Sequence, residues 1–283
     1  MTDLRQALSS GRLVLTAECV PPRTGGAEAA AALSKALPAN LDAVVVADNP
    51  DEIYGSALAY AGLLAREGRN TVLSLTTRDR NRIALESEAL GAAALNASGI
   101  LCLSGNHQSL GLCPQAASAN DIDSVQLSQL IKGLDLPNVV IGATAHPSQR
   151  PVELNLIRLK KKIKAGAEFL LTEPVFDVSA FASWLDAVRA AGLDKNAAII
   201  ASVLPLTGAE QARVLNEKLS YGPIDAAIIE RLAGAAEPAK EGLALAAEAA
   251  SKLKGLPGVR GIHILSGGSE VLAGPVIQAA GLA

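Results

Sequence analysis

Aromatic side chains are scarce in this 283-residue chain: Phe, Trp and Tyr together make up 2 %. The core must therefore be aliphatic, like the layers of branched side chains that fill a parallel barrel. Cysteine is equally sparse. Cys19, Cys102 and Cys113 lie far apart, which excludes a disulfide framework and the ligand clusters of zinc or iron–sulfur sites. No metal is expected, and the reduced thiols fit a cytoplasmic protein. Neither sign of charge dominates: 25 basic residues face 28 acidic ones, for a net charge of -3. Lys160, Lys161, Lys162 and Lys164 form the densest basic cluster, too short for a nucleic-acid footprint or an electrostatic membrane anchor. No apolar run reaches the roughly 18 residues that a bilayer span needs. Met1 to Ser10 carries Asp3 and Arg5 and lacks the apolar centre of a signal peptide. Neither nucleic acid nor membrane is an expected partner.

What the chain has is a repeat: a short β-branched run, a turn, then an Ala/Leu-rich amphipathic stretch. The runs Leu13–Cys19, Asp42–Ala47, Thr71–Thr76, Ile100–Leu103, Val139–Ala143, Phe169–Thr172, Ala197–Val203 and Gly261–Leu265 predict eight strands. Helices are predicted at Ala27–Leu37, Ile53–Arg66, Arg82–Leu95, Pro151–Ala165, Ser179–Ala191 and Ala209–Leu219. Near-continuous apolar strands alternating with helices predict a parallel α/β sheet, and eight units predict its closure into a single (β/α)8 TIM barrel over residues 1–283. Asp225–Leu253 reads as two extra helices, broken near Pro238, that cover the barrel before the last strand.

Catalytic groups of such a barrel sit where strands end. Glu18 lies among Leu15, Ala17 and Val20; poor solvation there raises a carboxyl's pKa and suits a general acid. Pairing with Arg23 or another rim cation is the alternative. Ser104 to Gln115 is long, polar and glycine-bearing, as a ligand loop is, yet matches no phosphate or dinucleotide fingerprint. His107 within it is more simply a surface residue than a base. Most of the Lys160–Lys164 cations belong to a solvated helix face, and one turned toward the mouth would neutralise a cofactor pyrophosphate.

Taken together, several segments resemble the methylenetetrahydrofolate reductase family, short bacterial type. Glu18-Cys-Val-Pro-Pro-Arg-Thr24 is similar to its first-strand signature, and Asp48-Asn-Pro50 to its second strand end. Ser74 to Arg82, Ile100-Leu-Cys-Leu-Ser-Gly-Asn-His-Gln108, Asp121 to Gln126, Leu159 to Ala167, Thr172-Glu-Pro-Val-Phe-Asp177 and Gly261-Ile-His-Ile264 continue the likeness in order. The resemblance implies an FAD-bearing barrel that reduces 5,10-methylenetetrahydrofolate to 5-methyltetrahydrofolate in one-carbon metabolism. By position, Glu18 would protonate the folate and open it to its iminium form. Thr76, Ser104, Gly105, Asn106, Asp123, Thr144, His146, Arg158 and Lys162 would lie along the FAD, with Lys162 at its pyrophosphate. Asn106 and Glu173 would meet the pterin.

Departures accompany the likeness. Asn106 stands where the family has Asp, and Glu173 where it has Gln. Ala209 replaces a substrate-stacking Phe, Ser74 stands where some members have His, and Leu112-Cys113 where short members have Asp-His. Three functions are compatible: the ordinary reductase with a retuned site, a member acting on another C1-pterin or with a partner electron-donor subunit in place of NADH, or a flavin- or pterin-binding subunit without reductase turnover. A homo-oligomer is expected.

Overall fold

The computed structural model describes residues 3–50, 52–107, 113–218, 224–267 and 269–282. Its strands are β1 (Val14–Cys19), β2 (Ala43–Val46), β3 (Thr71–Thr76), β4 (Gly99–Leu103), β5 (Val140–Ala145), β6 (Phe169–Pro174), β7 (Ala198–Val203) and β8 (Val259–Ile264). Each pairs in parallel with its sequence neighbours, and β8 closes on β1, so the expected barrel is formed. Strand bounds differ from the sequence expectation by two residues at most, because the β-branched runs coincide with the hydrogen-bonded ladders.

Alternation along each strand divides the aliphatic residues into two cores. Leu15, Ala17, Val44, Val46, Leu73, Leu75, Ile100, Leu170, Ile199 and Ile262 belong to the outer core, against the helices. Val14, Ala43, Val45, Val72, Leu101, Val140, Phe169, Leu171, Ala198 and Ile200 fill the barrel. Phe169 is accommodated because β5 carries Gly142 beside it: a Cβ at Gly142 would collide with the Phe169 ring. Helix α1 (Leu4–Ser9), absent from the sequence expectation, adds Leu4 and Ala7 to this inner core.

The surrounding helices are α2 (Ala27–Ala36), α3 (Ala57–Arg66), α4 (Arg82–Ala94), α5 (Ser124–Gly133), α6 (Val152–Lys164), α7 (Val178–Ala190), α8 (Ala209–Lys218), α9 (Ala226–Gly234), α10 (Pro238–Leu253) and α11 (Ala273–Ala279). Helix α3 begins later than the Ile53 start that its apolar pattern predicts. Ser56 caps it by accepting from the Ala59 N–H (3.3 Å), which fixes the entry point. Helices α9 and α10 are the two predicted from Asp225–Leu253; Asp225 caps the first and Pro238 opens the second. They do more than cover the barrel. Leu232, Ile228 and Ile229 of α9 and Leu245 of α10 join Leu206, Ala212 and Phe176 in a satellite apolar cluster, and Arg231 ties α9 to Glu241 and Glu248 of α10. Among the described residues no helix is long and apolar enough to cross a membrane.

Candidate active site

The ends of the strands gather the polar residues singled out from sequence. Glu18, near the end of β1, accepts from the Ser266 backbone N–H beyond β8 at 3.1 Å. The adjoining loop is tied by the Val20 N–H, which donates to Glu270 at 3.1 Å. Cys19 is fully buried on the outer face. Burial, reinforced by Glu270 and Glu18, pushes its thiol pKa far up, so it is no nucleophile.

Next round the barrel, Asp48 follows β2 in a buried position. Its carboxylate accepts from Arg80 at 2.7 and 3.1 Å and from the Thr76 N–H at 2.9 Å. Thr76 is itself 1 % exposed, and its hydroxyl lies 3.5 Å from the Asp48 carbonyl. Arg78 spans the mouth from β3: one guanidinium nitrogen donates to the Asn106 carbonyl and the other to that of Asn49, both at 3.1 Å. Gly105 turns the chain at φ +81°, and a Cβ there would press on the Thr76 methyl at 2.5 Å. Asn106 follows it, exposed. Ser104 donates to the Ser124 hydroxyl at 3.1 Å, and Asp123 caps α5 through the Gln126 N–H (2.7 Å), with the Gln126 side chain returning to the Asp123 N–H (2.9 Å). Asp123 is therefore engaged in building the helix end. His107 is exposed. Gln108, Leu112 and Gly268 lie outside the described residues.

The strongest constellation lies between β5 and β6. β6 bulges at Thr172 and Glu173: Leu171 pairs with Ile200 and Pro174 with Ser202, so two residues oppose one. The bulge is pinned by the Ser202 N–H to the Thr172 hydroxyl (3.0 Å) and the Ser202 hydroxyl to the Thr172 carbonyl (2.6 Å). Glu173 lies 2.7 Å from His146 Nδ1 through one oxygen and accepts from Ser148 Oγ at 2.8 Å through the other. The His146 Nε2 is 3.2 Å from Thr144 Oγ1. Lys162, reaching in from α6, donates to Thr144 Oγ1 (3.1 Å) and to its carbonyl (2.7 Å). The His146 loop is held from behind by Asn155, which donates to its carbonyl (2.5 Å) and accepts from Trp184 Nε1 (3.1 Å). A cavity of about 240 Å³ opens beside Glu173, bordered by Ser148, Arg150, Val175 and Phe176.

Lys162 is half-buried, with no ion-pair partner among the described residues. Burial lowers its pKa from 10.5 to about 8, and Arg158 adds to the fall. Cys102, which shares this environment, is held protonated by burial with a pKa of about 12, so it supplies no countercharge. Arg158 is exposed on α6 and donates to the Gln149 side chain at 3.0 Å. No local sequence pattern points to the pairing of Asp48 with Arg80, to Ser148 or to the Asn155–Trp184 pair. A second polar layer lies deeper, where fully buried His263 on β8 meets Thr16 Oγ1 of β1 at 2.9 Å; burial drives its pKa down to about 3, keeping the ring neutral. Among the described residues no group of three or more His, Cys, Asp or Glu is arranged to hold a metal ion.

Comparison with known proteins agrees with this architecture. The family model described as methylenetetrahydrofolate reductase matches residues 3–281. The 5,10-methylenetetrahydrofolate reductase of Pectobacterium carotovorum is 26 % identical over 74 % of this chain and 70 % of its own length, and that of Salmonella typhimurium 26 % over 74 % and 71 %. Methylenetetrahydrofolate reductase 2 of Saccharomyces cerevisiae is 37 % identical, but over 29 % of this chain and 14 % of that protein. A solved structure from Clostridium thermocellum, of a protein that binds two copies of 5-methyl-5,6,7,8-tetrahydrofolic acid, covers 99 % of this chain and 98 % of its own at a TM-score of 0.68 and 14 % identity, a likeness of fold. With the family model spanning nearly every residue and the strand-end motifs assembled at one mouth, the chain belongs to the methylenetetrahydrofolate reductase family of oxidoreductases.

Proposed function

We propose that the chain is a flavin-dependent reductase that converts 5,10-methylenetetrahydrofolate to 5-methyltetrahydrofolate at the C-terminal mouth of the barrel. One observation carries the cofactor assignment: the Lys162 cation is partly buried beside Thr144 with no ion-pair partner among the described residues. An unpaired buried charge is costly, and an anion such as the diphosphate of FAD removes the cost. The residues fit the group. Lys162 and Arg158 would meet the diphosphate, and Thr76, Ser104, Gly105, Asn106, Asp123, Thr144 and His146 would border the rest.

When bound, the flavin supplies hydride to the substrate. The chain's own part is to bind, orient and protonate. Glu18, held by the Ser266 N–H, delivers the proton that opens the folate ring. Glu173, fixed on its bulge, accepts N–H donors of the pterin. The tetrahydrofolate ligand of the Clostridium thermocellum protein supports a folate-type substrate. Electrons come from NADH or from a partner donor subunit. Glu173 is also the observation that favours a second function, turnover of another C1-pterin, because a carboxylate selects donor-bearing edges that an amide does not.

The test is direct. Purified protein incubated with FAD should retain a visible flavin spectrum that NADH or a low-potential donor bleaches and 5,10-methylenetetrahydrofolate restores. A protein that stays colourless overturns the cofactor assignment. Bleached flavin that another C1-pterin reoxidises, and methylenetetrahydrofolate does not, selects the second function.

A further inference from the structure

The cavity beside Glu173 has charges of both signs on its border: Glu173 on β6, Asp177 at the start of α7, and Arg150 in the loop after β5. Asp177 is committed to the cap of α7, where it accepts from the Ala180 N–H at 2.9 Å. Arg150 is folded back on its own loop. Its Nη1 donates to the Pro147 carbonyl at 2.9 Å and reaches that of Gln149 at 3.5 Å. Nη2 and Nε have no partner among the described residues, and the guanidinium forms no ion pair with any of them. Ser148 of the same loop donates its hydroxyl proton to Glu173 at 2.8 Å, which holds the loop against the carboxylate. The remaining side chains on the border are carboxylates or apolar, so Arg150 is the one with N–H groups left to give.

Size narrows the ligand. A volume of about 240 Å³ is below the roughly 300–1,000 Å³ that encloses a drug-sized molecule, so the cavity takes one ring system rather than a whole folate. Val175 and Phe176 supply apolar walls for the ring. Its edge has to complement a carboxylate that shares the cavity with a guanidinium. Each Glu173 oxygen meets one protein group and keeps a second lone pair, so the two oxygens together accept two adjacent N–H groups. A carbonyl next along the same edge finds no donor in Glu173. A guanidinium supplies one through a charge-assisted bond. The edge of a pterin has this order: 2-amino group, N3–H, C4 carbonyl. We infer that Arg150 is a specificity-determining residue, whose free N–H groups donate to the C4 carbonyl of a pterin while Glu173 accepts from its amino and N3–H groups. The inference deepens the proposed function and rests on it, since it takes the substrate to be a pterin. It also makes the site selective for the oxidised C4 position. A ring with an amino group at C4 turns a donor toward the Arg150 donors, and it has lost the N3–H that Glu173 accepts.

Calorimetric titration of the intact protein reads this contact without turnover. The probes are tetrahydrofolate, 6-methyltetrahydropterin, which has the ring and no p-aminobenzoylglutamate tail, and 4-amino-4-deoxytetrahydrofolate. Arg150→Met should weaken tetrahydrofolate and 6-methyltetrahydropterin alike, by about ten- to a hundredfold, the range of a hydrogen bond from a charged donor. Arg150→Lys, which keeps a charged donor, should recover part of that loss. The wild-type preference for tetrahydrofolate over its 4-amino analogue should shrink in Arg150→Met. A loop that had merely loosened would weaken both ligands and leave their ratio as it was. Arg150→Gln replaces the Met variant if that one does not fold. Equal binding by wild type and Arg150→Met, or an unchanged ratio, overturns the inference. So does a loss confined to tetrahydrofolate, which would assign Arg150 to the glutamate carboxylates of the tail. Each of these outcomes leaves the folate substrate standing, whereas wild-type protein that binds neither tetrahydrofolate nor 6-methyltetrahydropterin overturns the substrate and the inference together.

Discussion

Lys162 should leave a measurable signature in the stability of the flavin-free protein. Its pKa falls from 10.5 in a solvated chain to about 8 in the fold, chiefly through burial. A difference of that size corresponds to about 3 kcal/mol of unfavourable burial while the amine is charged in both states. The sign follows from proton counting. Below pH 8 both folded and unfolded chains hold the proton, and the full cost is present. Between about 8 and 10.5 the unfolded chain holds more protons than the folded one, so stability rises with pH. Above that window the cost has gone. Methionine matches the aliphatic stem and carries no charge, so Lys162→Met removes the pH-dependent part. Urea unfolding of both proteins from pH 7 to 10.5 should therefore give a wild-type curve that gains about 3 kcal/mol on the variant. The hydrogen bonds to Thr144 that the variant loses shift its whole curve and leave the difference in slope intact. Saturating FAD should flatten the wild-type gain, because a bound diphosphate favours the charged amine. Parallel curves for the two proteins would refute the claim that this cation is desolvated without an ion-pair partner among the described residues.

Four further outcomes are expected. Glu18→Gln should keep flavin binding and flavin reduction by the donor, while folate turnover falls by a factor on the order of 10²–10⁴, checked by stopped-flow of the two half-reactions. Asp48→Ala should cost about 3–5 kcal/mol in urea unfolding, because it strands the Arg80 guanidinium and the Thr76 N–H together; Asp48→Asn, which keeps an acceptor, should cost less. Gly142→Ala should destabilise by about 1–3 kcal/mol through overpacking against Phe169, and Phe169→Leu should recover part of that loss in the double variant. Asn106→Asp with Glu173→Gln should bind tetrahydrofolate better than either single variant in calorimetry if the two residues share one ligand, and simple additivity would separate them.

The barrel was legible because its signal is local. Each strand is a β-branched run bounded by turns, and that run is also what the ladder buries on both faces. Helix α1 has no readable signal because six residues carry too little periodicity. Helix α5 had a readable start: Asp123 and Gln126 have the spacing of a capping box, and both bonds form. The position of Lys162 was legible too. Asn155, Leu159 and Lys162 fall at i, i+4 and i+7, one stripe of a helix, and the first two are 4 % and 2 % exposed. Arg158 lies off that stripe and is exposed. The partners were not legible. Asp48 meets Arg80, and Glu173 meets Ser148 and His146, across gaps of 25 residues or more that no local pattern encodes. Nor does composition announce a bulge at Thr172 and Glu173, which depends on a hydroxyl of the neighbouring strand.

The two departures at Asn106 and Glu173 are physically unequal. Asn106 follows a glycine turn on an exposed loop, and its backbone is what the fold secures, through Arg78. Glu173 lies on a pinned bulge, its side chain 8 % exposed, with His146 against one oxygen and a hydroxyl donor on the other. An amide at position 173 has an acceptor at one end alone, so its NH₂ would face either the Ser148 hydroxyl or the His146 nitrogen and force that group to accept. A surround that offers two donors thus favours a carboxylate at position 173. An acidic side chain at position 106 would have water for company, and its charge would be screened. Moving the negative charge from the exposed loop to the braced strand end makes it a less solvated and geometrically fixed acceptor, opposite in sign to the half-buried Lys162 at the far end of the same contacts. That polarity gives the mouth an anion-accepting side at α6 and a donor-accepting side at β6, and a ligand that spans both must carry its charge and its N–H groups in that order.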